Sequence, residues 1–473
     1  MGVAAFLGAI LPVAVGAAGP VFEVSPAEAL IDTLPALQGR GFAPFERLTV
    51  TARERGDDGA EWKSEAVYYA DSQGAFDAAI SPSVAGSYQG VDAEGLLWSM
   101  LPAGAGSARA WLDRLATEPS LPRRPVRARL GAREIEFSLQ RDPPGGAPIT
   151  ARATLRRIAS GVGTREVSAG QVRGVWFEPP ADVARKRTVV VVIDGSFGGI
   201  RENVPALLAS RGWPAFALGY FKYKDRPDVA NLLPLEYFQA GLAWAHSQPG
   251  VERVVLWGYS RGAEAALLTA SHFPRDLDAV IAVSPSHVIN NGEGKEWGDW
   301  ITERDSMWSF AGRGVPCAPY AELGATPWAA RREKALSGLP GYGISAEYRE
   351  LWLKPGVART YGIPVERFAG RTLLAAGTAD EIWPSALAVT KLAVTKLAET
   401  SGPRATVSLQ AGAGHAVLTP GEVTTFGHVF FVDDRIRGYV QVGGSPAANA
   451  AGARRAWADT RAFLESLEGA HVR

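Results

Sequence analysis

The sequence predicts an all-β sandwich domain followed by a larger α/β domain with a mostly parallel, doubly wound sheet. From about residue 22 to residue 168, short alternating segments such as RLTVTARE are separated by Gly, Pro and Asp clusters, which is typical of an immunoglobulin-like sandwich. From residue 188 onward, apolar runs such as TVVVVIDG alternate with helical patterns, which predicts βαβ units. We therefore expect domains at residues 20–168 and 169–473.

Composition excludes several classes of function. Lys plus Arg and Asp plus Glu both total 49, so the charge balance gives no reason to expect a nucleic-acid partner. The single cysteine, Cys317, excludes an intrachain disulfide and a cysteine-based zinc cluster.

The first nineteen residues are predicted to be a signal peptide. Residues 2–19 form the apolar run GVAAFLGAILPVAVGAAG, which ends in small residues as a cleavage site does, although no Lys or Arg precedes it. Pro12 and the glycines argue against a membrane-spanning helix, and no later stretch is apolar enough to cross a bilayer. The sequence thus leaves the compartment open between export and cytoplasm.

The segment VVLWGYSRGAEAALLTA, residues 254–270, reads as strand, sharp turn and helix. A Gly-x-Ser-x-Gly turn in that setting is a nucleophile elbow, in which the serine side chain stands above a parallel sheet. The pattern could also arise by chance in a chain with 53 Gly, but the flanking strand and helix favour function. Ser260 is therefore the candidate nucleophile of an α/β-hydrolase domain.

A serine nucleophile needs a base and a group that orients the base, and in this fold they follow it in the order acid, then histidine. His246, His272 and His287 precede any suitable acid strand, and His471 is at the C-terminus. His415 follows the strand ATVSLQ in a glycine-rich turn, and we prefer it to His428. Asp380 follows the strand TLLAAG and is preferred to its neighbour Glu381.

The developing negative charge requires an oxyanion hole of backbone N–H groups. We expect one from Arg261, after the nucleophile, and one from Ser196 or Phe197 in the loop IDGSFGG. A glycine-rich turn can also bind a nucleotide, but this one lacks both Gly-x-Gly-x-x-Gly and a terminal Lys-Ser/Thr. No cofactor is expected.

The strand–helix alternation fails between residues 287 and 362. This stretch contains five tryptophans, many glycines and no clear strand: Trp297, Trp300, Trp308, Trp328 and Trp352. In a doubly wound fold it follows the C-terminal end of a strand, where ligand sites form. We predict a cap-like insertion over the active site, while recognising that the tryptophans could simply hold an irregular segment together.

Seven segments, in order, resemble the acyl-CoA thioester hydrolase and bile acid-CoA:amino acid N-acyltransferase family. They are GSYQGVDAEGLLWSM, VIDGSFGGIRENVPALLASRGWPAFALGYF, LEYFQAGLAW, GYSRGAE, IPVERFAG, GTADEIWPS and GGSPAANAAGARRAWADTRAFLE. The resemblance implies that Ser260, Asp380 and His415 are nucleophile, acid and base. It also implies hydrolysis rather than transfer to an amino acid, because the family links serine with the former and cysteine with the latter.

The sequence therefore predicts a serine hydrolase that cleaves acyl thioesters, acyl-CoA first among them. Three alternatives stay open: an exported carboxylesterase or amidase, an acyltransferase to amines, and a binding module with a vestigial elbow. The expected partner is a small-molecule thioester or ester, and the oligomeric state is undetermined. An export signal would conflict with a coenzyme A ester as substrate.

Overall fold

The computed structural model describes residues 19–118, 120–126, 129–144, 146–294, 303–318, 320, 343–398, 405–427, 429–430 and 440–469. Most of the expected signal peptide lies outside these ranges, as do Trp297, Trp300, Trp328, His428 and His471. Within these ranges, no helix combines the length and apolar character needed to cross a bilayer.

The N-terminal domain is a sandwich of two β-sheets. Its elements are β1 (Val21–Ser25), β2 (Glu28–Leu30), β3 (Ala36–Arg40), β4 (Arg47–Arg55), β5 (Glu61–Tyr69), β6 (Phe76–Asp77), β7 (Ala85–Gly86), α1 (Gly95–Trp98), β8 (Leu101–Pro102), α2 (Ala108–Thr117), β9 (Arg133–Asp142) and β10 (Ile149–Arg156). The smaller sheet has the order β1-β3-β6 and the larger one β2-β10-β9-β4-β5-β7, with β8 paired to β5.

The core of this domain lies between the two sheets. In β4, Leu48, Val50 and Ala52 are fully buried, as the alternation of RLTVTARE predicts. Phe76 of the smaller sheet stacks on Tyr68 of the larger one, with ring centroids 5.2 Å apart.

The C-terminal domain is built on an eight-stranded sheet. Its elements are β11 (Gly163–Ala169), β12 (Val172–Glu178), β13 (Thr188–Ile193), α3 (Asn203–Ser210), β14 (Ala215–Leu218), β15 (Leu233–Pro234), α4 (Leu235–His246), β16 (Arg253–Tyr259), α5 (Arg261–His272), β17 (Ala279–Val283), β18 (Trp308–Phe310), β19 (Arg313–Gly314), α6 (Ser345–Leu353), α7 (Val357–Tyr361), a 3₁₀ turn (Val365–Arg367), β20 (Arg371–Gly377), α8 (Ser385–Ala398), β21 (Ala405–Gln410), β22 (Val429–Phe430), β23 (Val440–Gln441) and α9 (Pro446–Glu468).

The strand order is β11-β12-β14-β13-β16-β17-β20-β21. Six neighbouring strands, in the order β14-β13-β16-β17-β20-β21, run parallel to one another. β12 runs antiparallel both to β14 and to β11. Side chains from α3 and α9 pack on one face and those from α4, α5 and α8 on the other. This is the α/β-hydrolase arrangement predicted from the alternation of strands and helices.

One strand at the expected domain boundary pairs with the sheet of the C-terminal domain. β11 falls within the residues that we assigned to the sandwich, yet it pairs with β12 in the eight-stranded sheet. The two strands form a hairpin whose turn contains Gly170 at φ 54°, a backbone conformation that favours glycine. β10 is therefore the last strand of the sandwich sheets. The sequence does not mark this point, because strand-like sequence continues from β10 into β11.

The tryptophan-rich insertion contains strands, contrary to the sequence expectation. β18 pairs in parallel with β15 and antiparallel with β19. Trp308 in β18 is fully buried and Trp352 in α6 nearly so. β15, β18 and β19 are only two or three residues long, which is too short for an alternation of apolar and polar residues to be recognised in the sequence.

Candidate active site

Ser260 lies at a sharp turn between β16 and α5. Its backbone has φ 56° and ψ −120°, an unusual conformation for a residue with a side chain, held here by the surrounding structure. A Cβ atom on Gly258 or on Gly262 would lie less than 3.0 Å from the backbone oxygen of Gly262 or Asp194, respectively. Both glycines of the motif are thus required by close backbone packing.

Asp380 and His415 follow two neighbouring parallel strands, β20 and β21, and meet Ser260 at the carboxyl edge of the sheet. The Oγ atom of Ser260 is 2.9 Å from Nε2 of His415, and Nδ1 of His415 is 2.7 Å from Oδ2 of Asp380. All three residues are at most 7% exposed. The arrangement can pass a proton from the serine hydroxyl to an imidazole whose other nitrogen is held by a carboxylate.

The Asp380 carboxylate is fixed by its own turn. Its Oδ1 accepts hydrogen bonds from the backbone N–H groups of Ile382 and Trp383, at 2.9 and 3.3 Å. Its Oδ2 accepts a further one from the Ser385 hydroxyl, at 2.6 Å. These bonds hold the carboxylate in place and orient Oδ2 towards His415. The side chain of Glu381, the alternative acid, is exposed.

Two aromatic rings flank the His415 imidazole. The centroid of Tyr259 is 5.2 Å from that of His415, and Trp383 lies edge-on at 5.5 Å. Trp383 donates its indole N–H to the carbonyl of Ser284, and the Ser284 hydroxyl donates to the carbonyl of His415. The imidazole is therefore confined by packing as well as by its hydrogen bonds.

The loop that follows β13 lies against the nucleophile. A Cβ atom on Gly195 would be 3.0 Å from the Cβ of Ser260. The N–H groups of Gly198 and Gly199 donate to the carbonyls of Gly195 and Phe221. The structure thus brings the loop containing Ser196 and Phe197 next to Ser260, while the Phe197 side chain is 64% exposed.

The Arg261 side chain, for which the sequence suggested only a backbone role, is buried in an ion-pair cluster. Its Nε donates to Glu293 at 3.0 Å, and its Nη1 lies 3.4 Å from Glu264. Glu293 also accepts a hydrogen bond from the Ser196 hydroxyl at 2.6 Å. The carboxylate thereby joins the residue after the nucleophile to the glycine-rich loop.

Glu264, one turn into α5, is fully buried and accepts hydrogen bonds from three residues. Its donors are Arg261, Asn290 and the indole N–H of Trp308, the last at 2.8 Å. Burial raises the pKa of the Glu264 carboxyl, although Arg261 and the other donors oppose that shift.

The sequence did not single out Ser385, Glu264 or Glu293. Glu264 lies within the GYSRGAE segment, among small and apolar residues. A carboxylate in such surroundings could have indicated a buried, hydrogen-bonded group. Ser385 follows Asp380 closely, but its contact depends on the path of the turn. Glu293 lies in the irregular insertion, where no pattern marked it.

Two family models match the chain. The model described as "Acyl-CoA thioester hydrolase/BAAT N-terminal region" matches residues 35–168. The model described as "BAAT / Acyl-CoA thioester hydrolase C terminal" matches residues 233–303 and 345–469. Together they span both domains of the structure.

Several curated proteins are similar in sequence. Acyl-coenzyme A thioesterase 6 of Mus musculus is 28% identical over 434 residues, which cover 90% of this chain and 91% of that protein. Acyl-coenzyme A thioesterase 5 of Mus musculus and acyl-coenzyme A thioesterase 1 of Homo sapiens are each 34% identical, over 53% and 54% of this chain. Those two matches span only 56% and 57% of the relatives' own lengths.

Proposed function

Since this chain belongs to the acyl-CoA thioester hydrolase/BAAT family, we propose that it is a serine hydrolase of acyl thioesters, with acyl-CoA as its substrate class. The observation that carries the proposal is the hydrogen-bonded chain from Ser260 through His415 to Asp380, at 2.9 and 2.7 Å. We infer the thioester substrate class from the similarity to acyl-CoA thioesterases, and the nucleophile from the hydrogen bond between Ser260 and His415.

In the first half-reaction, Ser260 Oγ attacks the thioester carbonyl carbon while His415 Nε2 takes its proton. The tetrahedral intermediate then collapses, the carbon–sulfur bond breaks, and His415 returns the proton to the departing thiolate. Asp380 holds the Nδ1–H tautomer and stabilises the imidazolium that forms. The products of this step are a free thiol and an ester of Ser260.

In the second half-reaction, water attacks the ester carbonyl and His415 again removes the proton. Collapse of this intermediate protonates Ser260 Oγ and releases the carboxylic acid. Each step uses only substrate, water and side chains of the chain itself.

The oxyanion that forms in both halves would be bound by backbone N–H groups. Arg261 occupies the first position of α5, where N–H groups have no partner within the helix. Gly198 and Gly199 donate their N–H groups to other carbonyls, and we propose the backbone of Ser196 or Phe197, in the same loop beside Ser260, as the second donor. Gly195 supplies the close approach between the loop and Ser260.

The test compares Ser260→Ala with Ser271→Ala across acyl-CoAs of several chain lengths, succinyl-CoA and p-nitrophenyl esters. Ser271 is a buried serine of the same helix whose hydroxyl donates to Leu267. We expect Ser260→Ala to lose on the order of 10³-fold or more of kcat/KM, and Ser271→Ala to keep it. Undiminished hydrolysis by Ser260→Ala would disprove the mechanism, and activity on oxygen esters alone would disprove the substrate class.

Transfer of the acyl group to an amine is the second candidate, because both matching models name BAAT in their descriptions and the sequence resembles bile acid-CoA:amino acid N-acyltransferases. Adding amino acids to the assay and measuring amide by mass spectrometry distinguishes the two. Since Ser260 would form an oxygen ester that water cleaves readily, we expect free acid as the product.

A further inference from the structure

The segment that follows His415 rests on the N-terminal sandwich. The Thr425 hydroxyl, which is buried, lies 2.9 Å from the carbonyl oxygens of both Trp98 and Met100. The backbone N–H of Thr424 also donates to the Trp98 carbonyl, at 3.1 Å. Trp98 and Met100 belong to GSYQGVDAEGLLWSM, a segment to which the proposed chemistry gives no role.

A buried ion pair of the sandwich reaches the same segment. Arg133 and Glu54 are paired at 2.8 Å, with side chains 1% and 0% exposed. Arg133 also donates to the carbonyls of Gly421 and Leu97. Gly421 has φ 77°, and a Cβ atom there would lie less than 3.0 Å from backbone of Ile31. The sandwich thus holds the backbone near residue 421 by charge and by close packing.

Arg157 fixes the next residue of the segment. It pairs with Glu422 through two hydrogen bonds of 2.7 Å. Burial favours the neutral acid, but the Arg157 guanidinium outweighs it and lowers the pKa of the Glu422 carboxyl to about 2. The pair is therefore ionised at neutral pH, and it links the end of β10 to the catalytic domain.

A second set of contacts links the sandwich to the residue before His415. Glu94, in the GSYQGVDAEGLLWSM segment, pairs with Arg454 of α9. Near the start of α9, Asn449 accepts a hydrogen bond from the N–H of Gly414, at 2.8 Å. The sandwich therefore contacts elements that hold the chain both before and after the histidine.

We propose that the N-terminal sandwich is a positioning domain for His415, and that Thr425 is a positioning residue for the reaction. The inference rests on the proposed function for its chemistry, but its structural basis is independent of the substrate. Because a base transfers a proton only at hydrogen-bond distance, a shift of this segment would slow chemistry more than binding.

The experiment compares Thr425→Val, Thr425→Ser and Thr33→Val in the full-length protein. Valine keeps the shape of threonine and removes its hydroxyl, whereas serine keeps the hydroxyl. Thr33→Val is the matched control, because the Thr33 hydroxyl accepts a hydrogen bond from Arg211 at 2.7 Å across the same domain interface, away from His415. The readouts are Tm, kcat and KM for an acyl-CoA, and the rate at which a fluorophosphonate labels Ser260.

We expect Thr425→Val to label about tenfold more slowly than the parent and to lose kcat with KM within about twofold. Thr425→Ser should recover the parental rate, and Thr33→Val should lower Tm without changing labelling. Equal labelling of Thr425→Val and Thr33→Val, or failure of serine to restore the rate, would overturn the inference. Parental protein that labels but does not hydrolyse acyl-CoA would instead overturn the thioesterase proposal.

Discussion

His287 should make the protein sensitive to mild acid. The residue lies four positions after β17, is 5% exposed, and within the described part of the chain neither ring nitrogen has a hydrogen-bond partner. Its ring meets Trp352 edge to face, at 5.1 Å. Burial, with a smaller contribution from the charge of Lys391, lowers the pKa of His287 from 6.5 to about 4.

The magnitude follows from the difference between the two pKa values. The folded protein disfavours the imidazolium, so as the pH falls the unfolded chain binds the proton before the folded protein does. The free energy of unfolding is therefore unaffected by His287 above about pH 6.5 and decreases as the pH falls below that value. Each pKa unit corresponds to about 1.4 kcal/mol. The linkage relation therefore predicts a loss of about 2 kcal/mol by pH 5 and about 3 kcal/mol by pH 4.

The assay is urea unfolding followed by tryptophan fluorescence at pH 7.5 and pH 5, for the parent, His287→Phe and His246→Phe. Phenylalanine retains an aromatic contact with Trp352 and does not titrate, while His246 is exposed and serves as the control. Between the two pH values, we expect the parent and His246→Phe to lose about 2 kcal/mol more than His287→Phe. Equal losses in all three proteins would refute the reasoning, since other acid-sensitive groups are common to them.

Two further substitutions test the nucleophile's surroundings. Gly262→Ala would place a Cβ atom less than 3.0 Å from the backbone oxygen of Asp194. Because a small misplacement of a reacting group slows chemistry strongly, we expect fluorophosphonate labelling to be at least about tenfold slower. The circular dichroism spectrum should be unchanged. Labelling at the parental rate would contradict that steric argument. Glu293→Gln leaves the charge of buried Arg261 less compensated and weakens the bond from Ser196, which should cost about 1–3 kcal/mol of stability and lower kcat. An unaltered Tm in thermal unfolding would count against this role.

The proximity of Ser260, Asp380 and His415 could be predicted from sequence because the strands of a parallel sheet end at a common edge. The carboxyl ends of its strands lie along one edge, so the loops that follow β16, β20 and β21 all lie at that edge. Chain order then selects one acid and one histidine. The structure places His415 within hydrogen-bond distance of both Ser260 and Asp380.

The support around these residues could not be predicted in the same way. Whether the Ser385 hydroxyl reaches Asp380 depends on the dihedral angles of a non-repetitive turn, which no periodicity encodes. Glu54 is an intermediate case. It continues the inward-facing positions of β4, so the alternation predicts its burial, but its partner Arg133 is 79 residues away and no local pattern identifies it.

The insertion is connected to α5, the helix that follows Ser260, by hydrogen bonds as well as by apolar packing. Asn290 donates to Glu264 and accepts a bond from the Tyr320 hydroxyl, which in turn accepts from the indole N–H of Trp352. Removing the Tyr320 hydroxyl would take away the bond that it makes to Asn290 and the bond that it accepts from Trp352, at a cost of about 1–3 kcal/mol. Tyr320 and Trp352 therefore connect the insertion to α5 through bonds that involve no substrate.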